Sequence, residues 1–142
     1  MIGIVIVAHG GLADAYRAAM EHVVGPQTGI RAIAIDDRDE RPVKQAEICA
    51  AADAVDDGTG VVVVTDMFGS SPSNLSLMAC AARDRMILFG ANLPMLIKLA
   101  KSRDVPVAVA VDRARAAGRK YIDSHPGGMI GPIGPVRATA GE

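Results

Sequence analysis

The stretch Ile2-Gly3-Ile4-Val5-Ile6-Val7-Ala8-His9-Gly10-Gly11 decides how the chain is read. Residues 2–8 are almost unbroken aliphatic sequence rich in β-branched side chains, the pattern of a strand buried on both faces, as in a parallel sheet covered by helices. The run stops at a histidine followed by two glycines. In an open parallel sheet, ligands bind outside the carboxyl ends of the strands. A strand that ends in a reactive side chain before a glycine turn presents it to that crevice.

The same unit recurs outward from this strand. Leu12, Ala15, Tyr16, Ala19, Met20 and Val23 repeat at helical spacing, and Gly25-Pro26 ends that helix. Residues 30–35 alternate as a second strand into the turn Asp36-Asp37. A second helix follows, with Pro42 in its first turn, Ile48, Ala51, Ala52 and Val55 on its apolar face, and Asp57-Gly58 at its close. Residues 60–65 (Gly-Val-Val-Val-Val-Thr) form a third strand, which belongs at the sheet centre and is followed by Asp66. Met67 to Ser71 read as a loop. Ser71 and Pro72 then read as N-cap and first helical residue of a helix to about residue 82. Residues 86–89 are a fourth strand, Gly90-Ala91-Asn92 a loop, and Pro94 opens a helix carrying Leu96, Ile97, Leu99 and Ala100. Residues 105–111 alternate valine with period two. They are assigned to helix because Asp104 and Pro106 read as N-cap and first turn, and Arg113 to Lys120 continue as a charged helical surface.

These elements predict an α/β fold: an open doubly wound, mostly parallel sheet in the flavodoxin-like order 2-1-3-4, with helices on both faces and right-handed crossovers. Composition agrees. The 142 residues suit one domain, taken as residues 1–125, with a Gly/Pro-rich tail at 126–142. Half the residues are apolar but only 3% aromatic, so the core is built of Val, Ile, Leu, Ala and Met. Net charge is −1 with no basic stripe or aromatic platform, which argues against nucleic acid. The opening apolar run is too short for a membrane span and has no basic residues before it, so a cytoplasmic protein without membrane insertion is expected. Cys49 and Cys80 have neither zinc nor redox spacing and read as buried free thiols.

The predicted strand order brings His9, at the end of strand one, beside Asp66, at the end of strand three. A carboxylate that accepts from one imidazole nitrogen fixes the tautomer and leaves the other nitrogen's lone pair free as a nucleophile. Ser70, Ser71, Pro72 and Asn74 add a helix start whose N–H groups favour an anion, for which a phosphoryl group is the natural candidate. Gly10-Gly11 is a close-approach turn but not a Gly-x-Gly-x-x-Gly fingerprint, and there is no Gly-x-x-x-x-Gly-Lys motif, so no nucleotide is implied. The candidate site is therefore His9 and Asp66 as catalytic groups, with Gly10, Ser70 and Ser71 at the phosphate, and with no metal and no cofactor.

Ile-Val-Ile-Val-Ala-His9-Gly, Val-Val-Thr-Asp66-Met-Phe-Gly-Ser-Ser-Pro-Ser-Asn74 and Gly90-Ala-Asn-Leu-Pro-Met-Leu96, in this order, closely resemble the mannose-type enzyme IIA of the bacterial phosphoenolpyruvate-dependent phosphotransferase system, from residue 1 to about residue 123. The resemblance implies a phospho-carrier domain. His9 matches the phosphorylated histidine, Asp66 the aspartate that hydrogen-bonds it, and Ser71 a serine beside the phosphoryl group. It also implies HPr as phosphoryl donor, an enzyme IIB as acceptor, here a separate chain, with Met67, Phe68 and Asn92 as contacts for these two partners, and a homodimer in which an antiparallel C-terminal edge strand pairs with the partner's sheet. The glycines and prolines after Ser124 fit such a strand poorly.

Three other readings compete. A tetrapyrrole metal chelatase also starts with a strand ending in His-Gly, and His9 with Asp36, Asp37 or Asp66 offers donors, but His22 and His125 are poorly placed as a second ligand. A phosphotransfer subunit for a dihydroxyacetone kinase shares the fold and the histidine but has a different mid-chain motif. A histidine phosphatase would resemble Arg-His-Gly, whereas Ala8 precedes His9.

Overall fold

Strand β1 (Gly3–His9) lies inside the sheet, flanked by β2 (Ile30–Ile35) and β3 (Val61–Thr65), with β4 (Arg85–Leu88) beyond β3; the order is β2-β1-β3-β4 and every pairing is parallel. The structure is a computed structural model that describes residues 1–67, 69–81 and 84–128. The expected α/β flavodoxin-like order is present. Among the described residues no antiparallel edge strand joins the sheet, and residues 129–142, where the tail strand is expected, lie outside them.

Alternation in the strands builds two cores. Ile4, Ile6 and Ala8 of β1 with Val62 and Val64 of β3 face helices α1 (Leu12–Val24), α4 (Leu93–Ala100) and α5 (Val107–Lys120), meeting Met20, Leu96, Leu99 and Ala110. Val5, Val7, Val61 and Val63 face α2 (Arg41–Val55) and α3 (Ser71–Leu75), meeting Ile48, Ala52 and Leu75. Each fully buried Val, Ile or Leu contributes about 1.5–3 kcal/mol of transfer free energy, so the two layers fix register as well as stability.

The helix reading of the alternating valines holds, with a shifted start. Pro106 is the N-cap and supplies the carbonyl that accepts from Val109 and Ala110 at 3.0 Å. Asp104 lies outside the helix. Val107, Ala110, Val111, Ala114 and Ala117 are the buried set, a 3.6-residue period that outweighs the period-two valines.

The third helix is shorter than predicted. It ends at Leu75 and is followed by a 3-10 turn at Met78–Cys80. Ser73 Oγ donates to Ser70 O at 2.9 Å and Ser76 Oγ to Pro72 O at 2.6 Å, so serine hydroxyls crowd the carbonyls that a longer helix would use. Ser70, not Ser71, occupies the N-cap position, and its hydroxyl makes no capping bond.

Candidate functional site

The register decides what meets at the carboxyl edge of the sheet. Val7 pairs with Thr65 and His9 with Ile35, so the residue after Thr65 stands beside the end of β1. That residue is Asp66. Its Oδ2 lies 2.7 Å from His9 Nδ1 and also accepts the His9 backbone N–H at 3.0 Å, which ties backbone and ring of the histidine to one oxygen.

Burial acts first on the Asp66 carboxyl and would raise its pKa. The backbone and ring hydrogen bonds from His9, with the histidine's charge, outweigh it and hold the carboxyl below its ordinary value of 3.8. An ionised carboxylate only accepts, so Nδ1 is the donor, and in the neutral form of the ring the lone pair is left on Nε2. The histidine side chain is 52% exposed while that of Asp66 is 10% exposed, so an accessible ring is held from behind by a sheltered acceptor.

The other expected site residues surround this pair in different ways. Gly10 takes φ +54°, a left-handed turn that glycine adopts without steric cost, and its N–H is already donated to Ile35 O at 3.0 Å. Ser70 is buried, and its hydroxyl donates to Met67 O at 2.6 Å. Ser71 is exposed on the first position of α3, and its hydroxyl has no partner among the described residues. Met67 is an exposed apolar side chain directly after Asp66. Phe68 lies outside the described residues. Asn92 has both ends of its amide engaged: Oδ1 accepts from Met95 N at 3.0 Å as the cap of α4, and Nδ2 donates to Gly118 O at 2.8 Å.

Sequence reasoning missed two residues at this edge. Tyr16 donates its hydroxyl to Ala91 O at 3.0 Å, while Ala91 N donates to Thr65 O at 3.0 Å, so α1, β3 and the loop before α4 are pinned at one residue. Burial foremost, and then the charge of Asp66, raise the Tyr16 pKa, which keeps the phenol a donor. The available signal was a lone phenol on an otherwise apolar helix face. Thr65 is fully buried; its Oγ1 and Asp66 Oδ1 are buried polar atoms without a partner among the described residues. The hydroxyl that ends an all-valine run was the signal for it.

The donor set of the chelatase reading does not assemble. Among the described residues no group of three or more His, Cys, Asp or Glu side chains is gathered to hold a metal ion. Among them, too, no helix is long and apolar enough to cross a membrane.

A doubly wound parallel sheet with an exposed histidine backed by an aspartate across its switch point defines a class of small α/β proteins that present an imidazole at the sheet edge. Residues 3–115 match the family described as PTS system fructose IIA component, and the chain belongs to that family of phosphotransferase-system proteins. Among solved structures, the phosphotransferase system component EIIA from Streptococcus agalactiae is similar at 27% identity, with 87% of this chain and 97% of that chain covered and a TM-score of 0.73. The PTS IIA protein associated with the fucose utilization operon of Streptococcus pneumoniae is also 27% identical, with 80% and 88% covered and a TM-score of 0.70. The mannose/sorbose specific IIA subunit from Enterococcus faecalis shares the fold, with a TM-score of 0.76, 21% identity and 92% and 98% of the two chains covered. Comparison with curated proteins gave no match.

Proposed function

We propose that the chain is a phospho-carrier whose His9 Nε2 accepts a phosphoryl group from phosphorylated HPr and passes it to a separate enzyme IIB. The observation that carries this reading is the Asp66 Oδ2 contact on His9 Nδ1 at 2.7 Å, in a member of the phosphotransferase-system IIA family. In each half-reaction the bond from phosphorus to the donor's nucleophile breaks as a bond to the acceptor's nucleophile forms. In the neutral imidazole with Nδ1 protonated, the lone pair that attacks is on Nε2, so that form needs no prior proton transfer. Asp66 offsets the imidazolium character that builds on the ring as Nε2 attacks.

Positioning and electrostatics supply the catalysis, as in other phosphoryl transfers, and no metal or nucleotide cofactor is required. The exposed hydroxyl of Ser71 is the preferred contact for the phosphoryl oxygens over Gly10 and Ser70, whose donors are engaged within the chain. Exposed Leu12 and Met67 follow closely on the ends of β1 and β3 and give two protein partners apolar surface at that edge of the sheet. Residues 1–125 form the carrier domain, acting in the cytoplasm.

A homodimer fits the sheet. Among the described residues strand β4 is an edge, and a groove of about 550 Å³ runs between it and α5, with Met86 and Ile122 exposed along it. A tail strand from a second copy would cover that edge.

The test is incubation of the purified protein with phosphoenolpyruvate, enzyme I and HPr. Acid-labile phosphate is expected on the wild type and none on His9→Ala; an equal signal on that variant would end the reading.

A further inference from the structure

Charge is unevenly spread along this chain. Residues 93–120 carry seven Lys and Arg against two Asp, while residues 1–92 carry seven against twelve Asp and Glu. The excess is concentrated in a groove of about 640 Å³ between α4 and α5, on a floor that includes Ile97 and Ala117 and between the cations Lys98, Lys101, Arg113 and Lys120. All four cations are exposed, none forms an ion pair among the described residues, and no carboxylate among them lines the groove.

Helix ends account for part of this charge. Lys98 and Lys120 lie in last turns and Lys101 caps α4, where cations offset the macrodipole. Arg113 lies mid-helix and has no such role. A merely solvated helix surface usually interleaves acids with its bases, as Asp112 and Arg115 do at 2.7 Å on the neighbouring face. The groove instead gathers cations around apolar surface.

We propose that this groove docks an acidic, amphipathic segment of a protein partner. Carboxylates along the segment's flanks meet cations contributed by both helices, and its apolar stripe covers Ile97 and Ala117. The groove is concave, which suits a chain segment better than a flat bilayer. Its cations are spread along its length, not converged on one point as a small anion would need. The upper end, at Pro94 and the stacked Lys120–Tyr121 pair, adjoins Asn92, so a segment bound here lies next to the loop whose Ala91 N donates to Thr65 O, the residue before Asp66. This docking surface is separate from the phosphoryl chemistry and does not depend on it.

The test uses fluorescence anisotropy with the full chain and two synthetic peptides of equal negative charge. One places Leu at helical i, i+3, i+4, i+7 spacing among Glu, and the other has Ser in place of Leu. The amphipathic peptide is expected to bind about tenfold more tightly or better, with affinity falling as salt rises. Lys98→Glu with Arg113→Glu should lose about tenfold or more, and Arg31→Glu on the far edge of the sheet should lose nothing. Circular dichroism checks the fold, and should the charge-reversed protein misfold, the two-peptide comparison on the wild type decides. Equal binding of both peptides, unchanged binding by the folded double variant, or preference for phosphatidylglycerol vesicles over the peptide would overturn the proposal.

Discussion

One oxygen of Asp66 holds both the ring and the backbone of His9: Oδ2 is 2.7 Å from Nδ1 and 3.0 Å from the backbone nitrogen. The backbone bond fixes where β1 ends and the ring bond fixes which nitrogen is free. Asp66→Asn keeps the size of the side chain but loses the charge, and an amide can present either its oxygen or its NH₂ to Nδ1. Phosphoryl transfer is expected to slow by about 10²-fold or more, measured by rapid quench, while the circular dichroism spectrum stays native. Transfer at the wild-type rate would remove Asp66 from the mechanism.

The same contact links the site to acid stability. The folded-state pKa of Asp66 is depressed, and so is that of Asp56, held down first by the Gly58 N–H and then, against burial, by Arg85 and the Gly60 N–H. A depressed carboxyl contributes stability that is fully present above its unfolded value, about 4, and is lost as pH falls through the folded value. Urea midpoints should therefore be level from neutral pH to about 4 with respect to these groups and then decline. Asp56→Asn should lower the midpoint at pH 7 and flatten the decline. A decline of unchanged steepness would mean Asp56 is not one of the groups involved.

The pairing of His9 with Asp66 is legible in the amino-acid sequence because it follows from two robust signals, buried aliphatic strands and the strand order of doubly wound sheets. Both act over whole elements, so small errors at strand ends, such as β4 running 85–88 in place of 86–89, leave the pairing intact. The start of α3 is less legible. Ser70, Ser71, Ser73 and Ser76 can each cap, donate backwards or face solvent at nearly equal cost, and tertiary packing chooses among them. The bond from Tyr16 to Ala91 spans 75 residues and leaves no local trace in the sequence.

Thr65 offers a test of that local polar cost. Its hydroxyl is fully buried at the end of β3 with no partner among the described residues. Valine has the same shape and suits a strand, so Thr65→Val should stabilise the fold by about 1 kcal/mol. Calorimetry would register this as a melting temperature a few degrees higher. A lower melting temperature would mean that the hydroxyl is satisfied in solution.

Gly60 is where three strands are tied together. Its carbonyl accepts from Gly3 N at 3.0 Å, Val61 N donates to Asp84 O at 3.0 Å, and Gly60 itself sits at φ +104°. A Cβ there would run into Asp84 O, a backbone atom that cannot swing aside. Gly60→Ala thus combines backbone strain with a clash and should cost about 2 kcal/mol or more, read as a lower urea midpoint with unchanged slope. A midpoint within error of wild type would show that β4 shifts freely against β3.

Cys80 reports on the segment that follows the short third helix. It packs with Cys49 and Ile87 against the core under α2, and burial, with a small push from Cys49 and against the pull of Arg85, drives its thiol up to about 11. At pH 8 such a group is about 0.1% thiolate, against roughly a quarter for a free cysteine, and the thiolate is the species that alkylates. Iodoacetamide should therefore modify Cys80 in the native protein about 100-fold more slowly than a free thiol, a difference abolished in guanidinium. Peptide mass mapping over a time course measures the rate. Rapid labelling at native pH would mean that the 3-10 turn opens locally at low free energy, which would place that segment among the elements able to move when a partner docks beside Met67.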